Sequence, residues 1–289
     1  MLIGSAPRAI LRITVYVALT LPLLPIQFIL NLVCKPAARW LPVYYHRAVC
    51  YILGLKVRVR GTMSPARPTL FACNHISYLD IEVLGSLIPG SFIAKREVST
   101  WPFFSWLAKL QRSVFVERKA HASMKSNDEI TKRLRAGDDL ILFPEGTSSE
   151  GTYVLPFRSS FFAAAQVRRK DGKPITVQPV SIAYTRLDGI PLGRHWRPFY
   201  TWFGDMNLGP HAWQMAGLGE VEVMVNFHEP VDIDQLGDRK KLSAHCQKVI
   251  AQGVAASNSG RFEVLPPAMG EKAAGEKAAG EKAAGDKAA

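Results

Sequence analysis

The amino-acid sequence predicts an α/β protein: a mixed, mostly parallel sheet flanked by helices, preceded by an N-terminal membrane-associated helical hairpin. Three observations lead there. From about residue 55 to 235, short β-patterned runs alternate with helical ones, the pattern of strands joined by crossover helices. The stretch before it is apolar enough to enter a bilayer. Charge is also segregated: the 289-residue chain has a formal net charge of +12, yet residues 1–79 hold nine Lys or Arg and no Asp or Glu. A basic, apolar segment suits nucleic acid or an anionic membrane face, and the apolar content favours the membrane.

From Ala9 to Val33 the chain reads AILRITVYVALTLPLLPIQFILNLV, with Arg12 as its only charge. That reaches the ~20 apolar residues needed to cross a bilayer. Pro22 and Pro25 fall in its middle and predict a kink or two capped pieces. LPVYYHRAVCYILG follows as a second amphipathic segment. The pair reads as a hairpin embedded in, or lying on, a membrane, with a single spanning anchor as the alternative. A cleaved signal peptide is a third option, against which stands the absence of a small-x-small cleavage site soon after the apolar core. Four scattered cysteines, Cys34, Cys50, Cys73 and Cys246, have no disulfide-like or C-x-x-C spacing. They read as reduced thiols of a domain facing the cytosol.

Later elements follow in order. KVRVRG and TLFACN read as strands, and YLDIEVLGSLI has helical spacing. SFIAKRE and SVFVER are strand candidates separated by the aromatic helix WPFFSWLAKLQ. NDEITKRLRAG is an amphipathic helix stopped by Gly137. DLILFPEG is a strand running into a turn, FFAAAQVRRKDG a helix with a basic end, and ITVQPVSIAY and EVEVMVNFHEPV are late strands. The C-terminal GEKAAGEKAAGEKAAGDKAA has no apolar face and a Gly in every unit, so it reads as a solvated tail. The organisation is thus 1–54 membrane segment, 55–265 α/β domain and 266–289 tail.

Two strand ends carry chemistry. In NHISYLD, His75 precedes Asp80 by five residues. A neutral imidazole accepts a proton near pH 7, and a carboxylate on its other nitrogen fixes the tautomer. Five is awkward spacing within one helix. It works with His75 in a strand-to-helix turn and Asp80 in the first helical turn, as Asn74 and Ser77 favour. On its own the pair is also compatible with a satisfied structural histidine. In LFPEGTSS, Glu145, Gly146, Thr147 and Ser148 form either a headgroup-binding turn or an ordinary polar one. Arg118, ending SVFVER, and Arg158, in LPFRSSFF, are suited to bidentate anion contacts, or else are solvated surface arginines. A covalent route lacks a nucleophile elbow, because GTSSEG is not G-x-S-x-G. Cys73 is a minor nucleophile candidate, better read as core. His121, His195, His211, His228 and His245 lack metal-ligand spacing, and nothing resembles a phosphate-binding or nucleic-acid motif.

Taken in order, NHISYLD, SVFVER, FPEGTSS and VQPVSIAY resemble the boxes of the lysophosphatidic-acid acyltransferase family, the PlsC-like glycerolipid acyltransferases. The match runs from about Arg58 to Tyr184. The resemblance implies that His75 is the general base on a lysolipid hydroxyl, oriented by Asp80. The hydroxyl attacks an acyl-carrier-protein or coenzyme A thioester directly. Arg118, Glu145, Gly146 and Thr147 help hold the acceptor, and Arg158 adds positive charge for donor or acceptor. No metal or other cofactor and no nucleic acid is expected, and the partners are membrane lipids and the acyl donor, at the inner membrane. Many phosphatidic-acid-making members carry arginine where Ser148 stands. The long run through VQPVSIAYTRLDGIPLGRHWRP looks closer to bacterial lyso-ornithine lipid acyltransferases, with lysophosphatidic acid as the alternative acceptor. A scaffold without turnover and a lipid hydrolase are the rival classes.

Overall fold

The computed structural model describes residues 4–116, 123–169 and 171–261. The N-terminal segment is two helices, α1 (Ala6–Val33) and α2 (Lys35–Leu53), turned at Cys34. They run antiparallel: Thr20 Oγ1 meets Tyr45 OH at 3.0 Å and Gln27 Nε2 donates to Ala38 O at 2.8 Å. Pro22 and Pro25 do not divide α1 as expected. Both sit on its exposed side, so the missing N–H groups do not disturb the packed face. Gly54 ends α2 in the left-handed conformation, φ +74°, a backbone that glycine adopts without a Cβ clash.

Eight strands follow: β1 (Leu55–Arg60), β2 (Thr69–Cys73), β3 (Ser91–Lys95), β4 (Val114–Val116), β5 (Leu140–Leu142), β6 (Thr176–Leu187), β7 (Ile190–Pro191) and β8 (Val221–Phe227). The sheet order is β1-β8-β6-β2-β5-β3-β4, with β7 folded back on β6. Every pair is parallel except β6 with β7 and with β8. Helices α3 (Leu79–Gly85), α4 (Phe104–Leu110), α5 (Ser123–Arg135), α6 (Leu208–Gly217), α7 (Ile233–Leu236) and α8 (Arg239–Asn258) complete the fold. β2 is buried at every residue, as a central parallel strand covered on both faces must be. Phe71, Cys73, Val180 and Ile182 pack toward Leu79, Val83 and Leu84 of α3. On the other face Leu70, Ala72, Leu140 and Val177 pack toward Leu134 of α5 and Leu242, Cys246 and Ile250 of α8.

The hairpin is joined to this body by side chains that meet helix carbonyl ends. Arg12 donates to Ala216 O and Leu218 O at 3.2 and 2.8 Å, where α6 ends. Gln27 and Asn31 donate to Leu110 O of α4 at 3.3 and 2.8 Å, and Arg47 to Ser86 O after α3 at 2.9 Å. Each satisfies a carbonyl that its own helix leaves without a partner. His46, buried in α2, adds a 2.6 Å contact from Nδ1 to Glu82 Oε2 of α3.

Two further expectations change. FFAAAQVRRKDG is not an α-helix: residues Ser159–Gln166 form a 3-10 turn, after which Arg168 bridges Pro174. Arg168 makes an exposed bidentate pair with Asp234, at 2.5 and 2.7 Å. The helix read in YLDIEVLGSLI is only the short α3. Arg118 and the repetitive tail lie outside the described residues.

Candidate active site

β2 ends at Cys73 and α3 begins at Leu79, so NHISY is the connecting turn and Asp80 lies in the first helical turn. This is the geometry that makes a five-residue spacing workable. His75 Nδ1 lies 2.9 Å from Asp80 Oδ2. The same oxygen accepts the backbone N–H groups of Ile76 and Ser77 at 2.7 and 3.0 Å. Asp80 is fully buried. These donors compensate its charge, which burial without partners would make costly. With Asp80 as acceptor, Nδ1 carries the hydrogen and Nε2 keeps the lone pair. One face of the imidazole stacks on Phe143, centroids 4.1 Å apart and planes 20° off parallel. Phe143 in turn stacks on Phe92 at 6.2 Å.

The turn is clamped from several elements. Asn74, buried, uses its whole amide on β6: Nδ2 donates to Ile182 O at 3.0 Å and Oδ1 accepts from Ile182 N at 2.8 Å. It continues a strand ladder with a side chain. Ser149 N donates to His75 O at 2.9 Å, and Trp202 N to Ile76 O at 3.0 Å.

Glu145, expected to help hold the acceptor, is engaged with two backbone N–H groups. It is buried, with Oε1 accepting from His75 N at 2.7 Å and Oε2 from Leu155 N at 2.8 Å. The two oxygens thus brace the NHISY turn and the loop after β5. Burial pushes its carboxyl up to about 7 despite the two hydrogen bonds. Gly146 (φ +68°) and Ser148 line the cavity beside His75, whereas Thr147 is not among its lining residues. Exposed Arg158 packs close by, its Nε 3.6 Å from where a Cβ on Gly146 would stand.

The cavity has a volume of about 340 Å³. It lies between hairpin and sheet, with Leu24 and Leu41 from the hairpin, Ile81 from α3, Leu107 from α4, and His75 and Phe143 at the site. Ligand pockets span ~300–1,000 Å³ and are mostly apolar with few polar groups, and this one fits that description. Cys73 is fully buried, which drives its thiol well above the ordinary value and leaves it a poor nucleophile. Ser149 Oγ lies 3.3 Å from the His75 carbonyl oxygen, so its hydroxyl is spent on the backbone. His211 and His228 are bound structurally, to Tyr78 OH at 3.1 Å and Ser181 Oγ at 3.0 Å, and burial lowers both, His228 to about 4.

Residues 56–183, which include His75, Asp80 and Glu145, match the Acyltransferase family model. The chain is 44% identical over 232 residues to a lyso-ornithine lipid O-acyltransferase of Rhizobium meliloti (strain 1021), covering 78% of this chain and 79% of the relative. The chain belongs to the PlsC-like acyltransferase family. A lyso-ornithine lipid O-acyltransferase of Brucella abortus (strain 2308) is 41% identical, over 82% of this chain and 90% of the relative. A 1-acyl-sn-glycerol-3-phosphate acyltransferase of Neisseria gonorrhoeae is 29% identical, over 70% and 75%. The fold matches the crystal structure of the LPA acyltransferase PlsC from Thermotoga maritima, with TM-score 0.61 at 23% identity, over 86% of this chain and 92% of that one. This acyltransferase is therefore an enzyme that acts on lysolipids.

Proposed function

We propose that this acyltransferase moves a fatty acyl group from an acyl-carrier-protein or coenzyme A thioester to the free hydroxyl of lyso-ornithine lipid, with His75 as general base. The observation that carries the mechanism is the His75–Asp80 contact of 2.9 Å at the wall of the apolar cavity. The acceptor hydroxyl gives its proton to Nε2 as its oxygen attacks the thioester carbonyl. Asp80 stabilises the imidazolium. The tetrahedral intermediate then collapses, and the departing thiolate takes that proton, leaving an ester and a free thiol. No acyl-enzyme and no further cofactor enters this scheme. Support for the acceptor comes from the names of the two relatives above 40% identity and from Ser148, a hydroxyl rather than a guanidinium at the cavity wall. Lysophosphatidic acid is the second reading, favoured by the Neisseria relative and by Arg118.

The reading extends to location. Ile10, Leu11, Leu21, Phe28 and Leu32 leave α1 with an outward apolar face, and Trp106 on α4 is exposed beside it. Such a face suits the acyl region of a leaflet, with the nearby basic residues on anionic headgroups. We place it on the inner membrane, facing the cytosol.

The decisive test compares purified enzyme on lyso-ornithine lipid and lysophosphatidic acid with one acyl-carrier-protein donor. A higher kcat/KM for lyso-ornithine lipid is expected, and a clear preference for the phosphate lipid overturns the acceptor assignment. His75→Ala should lose at least about a hundredfold in kcat. Unchanged acylation by that variant refutes the mechanism.

A further inference from the structure

We infer that Tyr184 is a positioning residue for the catalytic dyad, holding Asp80 through the carboxylate oxygen that His75 does not use. Tyr184 OH donates to Asp80 Oδ1 at 3.0 Å, while Oδ2 faces His75 Nδ1. Tyr184 stands on β6, two residues past Ile182, which Asn74 grips. The strand thus holds the catalytic turn at both ends, by Asn74 at its start and by Tyr184 on Asp80. The pairing of β6 with β8 shifts register between Tyr184 and Arg186, and bulges recur beside active sites, where they re-aim side chains. The ring of Tyr184 is buried and stacks on Tyr200, centroids 6.0 Å apart and planes 10° off parallel. Burial and stacking hold the ring with its hydroxyl at Asp80.

The phenol is a donor only. Burial, reinforced by the adjacent Asp80, holds it protonated. The other titratable groups facing this pair are Cys73 on β2, Tyr78 before α3, Cys50 on α2, Glu145 after β5 and Tyr200 stacked on the ring. Among the described residues, none of them hydrogen-bonds to Asp80. The hydroxyl of Tyr184 draws charge onto Oδ1 and fixes the carboxylate plane. Without it, Oδ2 keeps its backbone donors but Oδ1 has lost the Tyr184 hydroxyl, so the carboxylate is held less firmly and presents more charge to the imidazole. The proton should then stay on His75 to higher pH, and the ring should be less well aimed.

This inference rests on His75 acting as base, so His75→Ala is assayed alongside: activity retained there defeats the base assignment itself. With that variant inactive, Tyr184→Phe tests the inference alone. It removes one oxygen and keeps the stacked ring. Expected are a kcat lower by about tenfold, KM unchanged for both substrates, and an acid limb of the pH–kcat/KM profile raised by about half a pH unit or more. A second variant covers the chance that the phenylalanine form misfolds. 3-Fluorotyrosine at position 184 keeps ring and hydroxyl but donates more strongly, and should move the acid limb to lower pH. An acid limb unmoved in either folded variant, or moved the same way in both, overturns the inference. So does a loss carried by KM.

Discussion

Glu145→Gln sets two effects of known sign against each other. The wild-type carboxyl titrates at about 7, raised from 4.5 by burial. A carboxyl raised on folding contributes stability that is complete below its unfolded value and lost as pH rises through the folded one. The shift of roughly 2.5 units amounts to about 3 kcal/mol lost between pH 4.5 and pH 7. Glutamine carries no such charge. It offers only one oxygen to the two N–H groups of His75 and Leu155, now held at 2.7 and 2.8 Å. A buried donor left facing an NH2 costs about 1–3 kcal/mol at every pH. The variant should therefore be clearly less stable than wild type near pH 5, and close to it, or above it, near pH 8. Thermal unfolding of both proteins in one detergent across that range measures the difference. A stability gap that does not narrow as pH rises refutes the reasoning. Activity should fall at least about tenfold at every pH, because ~1.4 kcal/mol of misplaced catalytic turn is already a factor of ten.

Three further outcomes follow from the geometry. Asn74→Ala strands both backbone groups of Ile182 in a buried site, so denaturant unfolding should show a loss of about 2–5 kcal/mol. Gly85→Ala places a Cβ against the ring of His46, and overpacking of about 1–3 kcal/mol should lower the melting temperature. Ser148→Arg adds a guanidinium to the cavity wall, so the ratio of kcat/KM values should shift toward lysophosphatidic acid by about tenfold or more. An unshifted ratio counts against position 148 as a determinant of the acceptor.

What could be read in the sequence was what local pattern dictates. The all-buried β2 announces itself as TLFAC, and His75 and Asp80 sit in the turn that their spacing required. Glu145 was found as a residue, but not the backbone contacts it makes. Its carboxylate faces a backbone N–H seventy positions earlier, and no local signal reports that direction. The grips of Asn74 on Ile182 and of Tyr184 on Asp80 span 108 and 104 residues and are equally silent. Helix α8 was missed although a signal existed: Leu242, Cys246, Ile250 and Val254 recur every four residues behind the cap Asp238. One apolar residue per turn is a narrow stripe, easily lost among Lys, Gln and Ser. In FFAAAQVRRKDG the reverse happened: a run with helical propensity forms a 3-10 turn instead.

The side chains of Arg12, Gln27, Asn31 and Arg47 close the carbonyl ends of three helices that belong to the body. An appendage can be trimmed and leave a working remainder, but a keystone cannot. Removing the first two helices would strip a wall from the apolar cavity and leave those three helices open in one cut. A truncated form designed for solubility should therefore be expected to lose its fold along with its greasy surface. Any agent that pries the hairpin loose also opens the cavity beside His75.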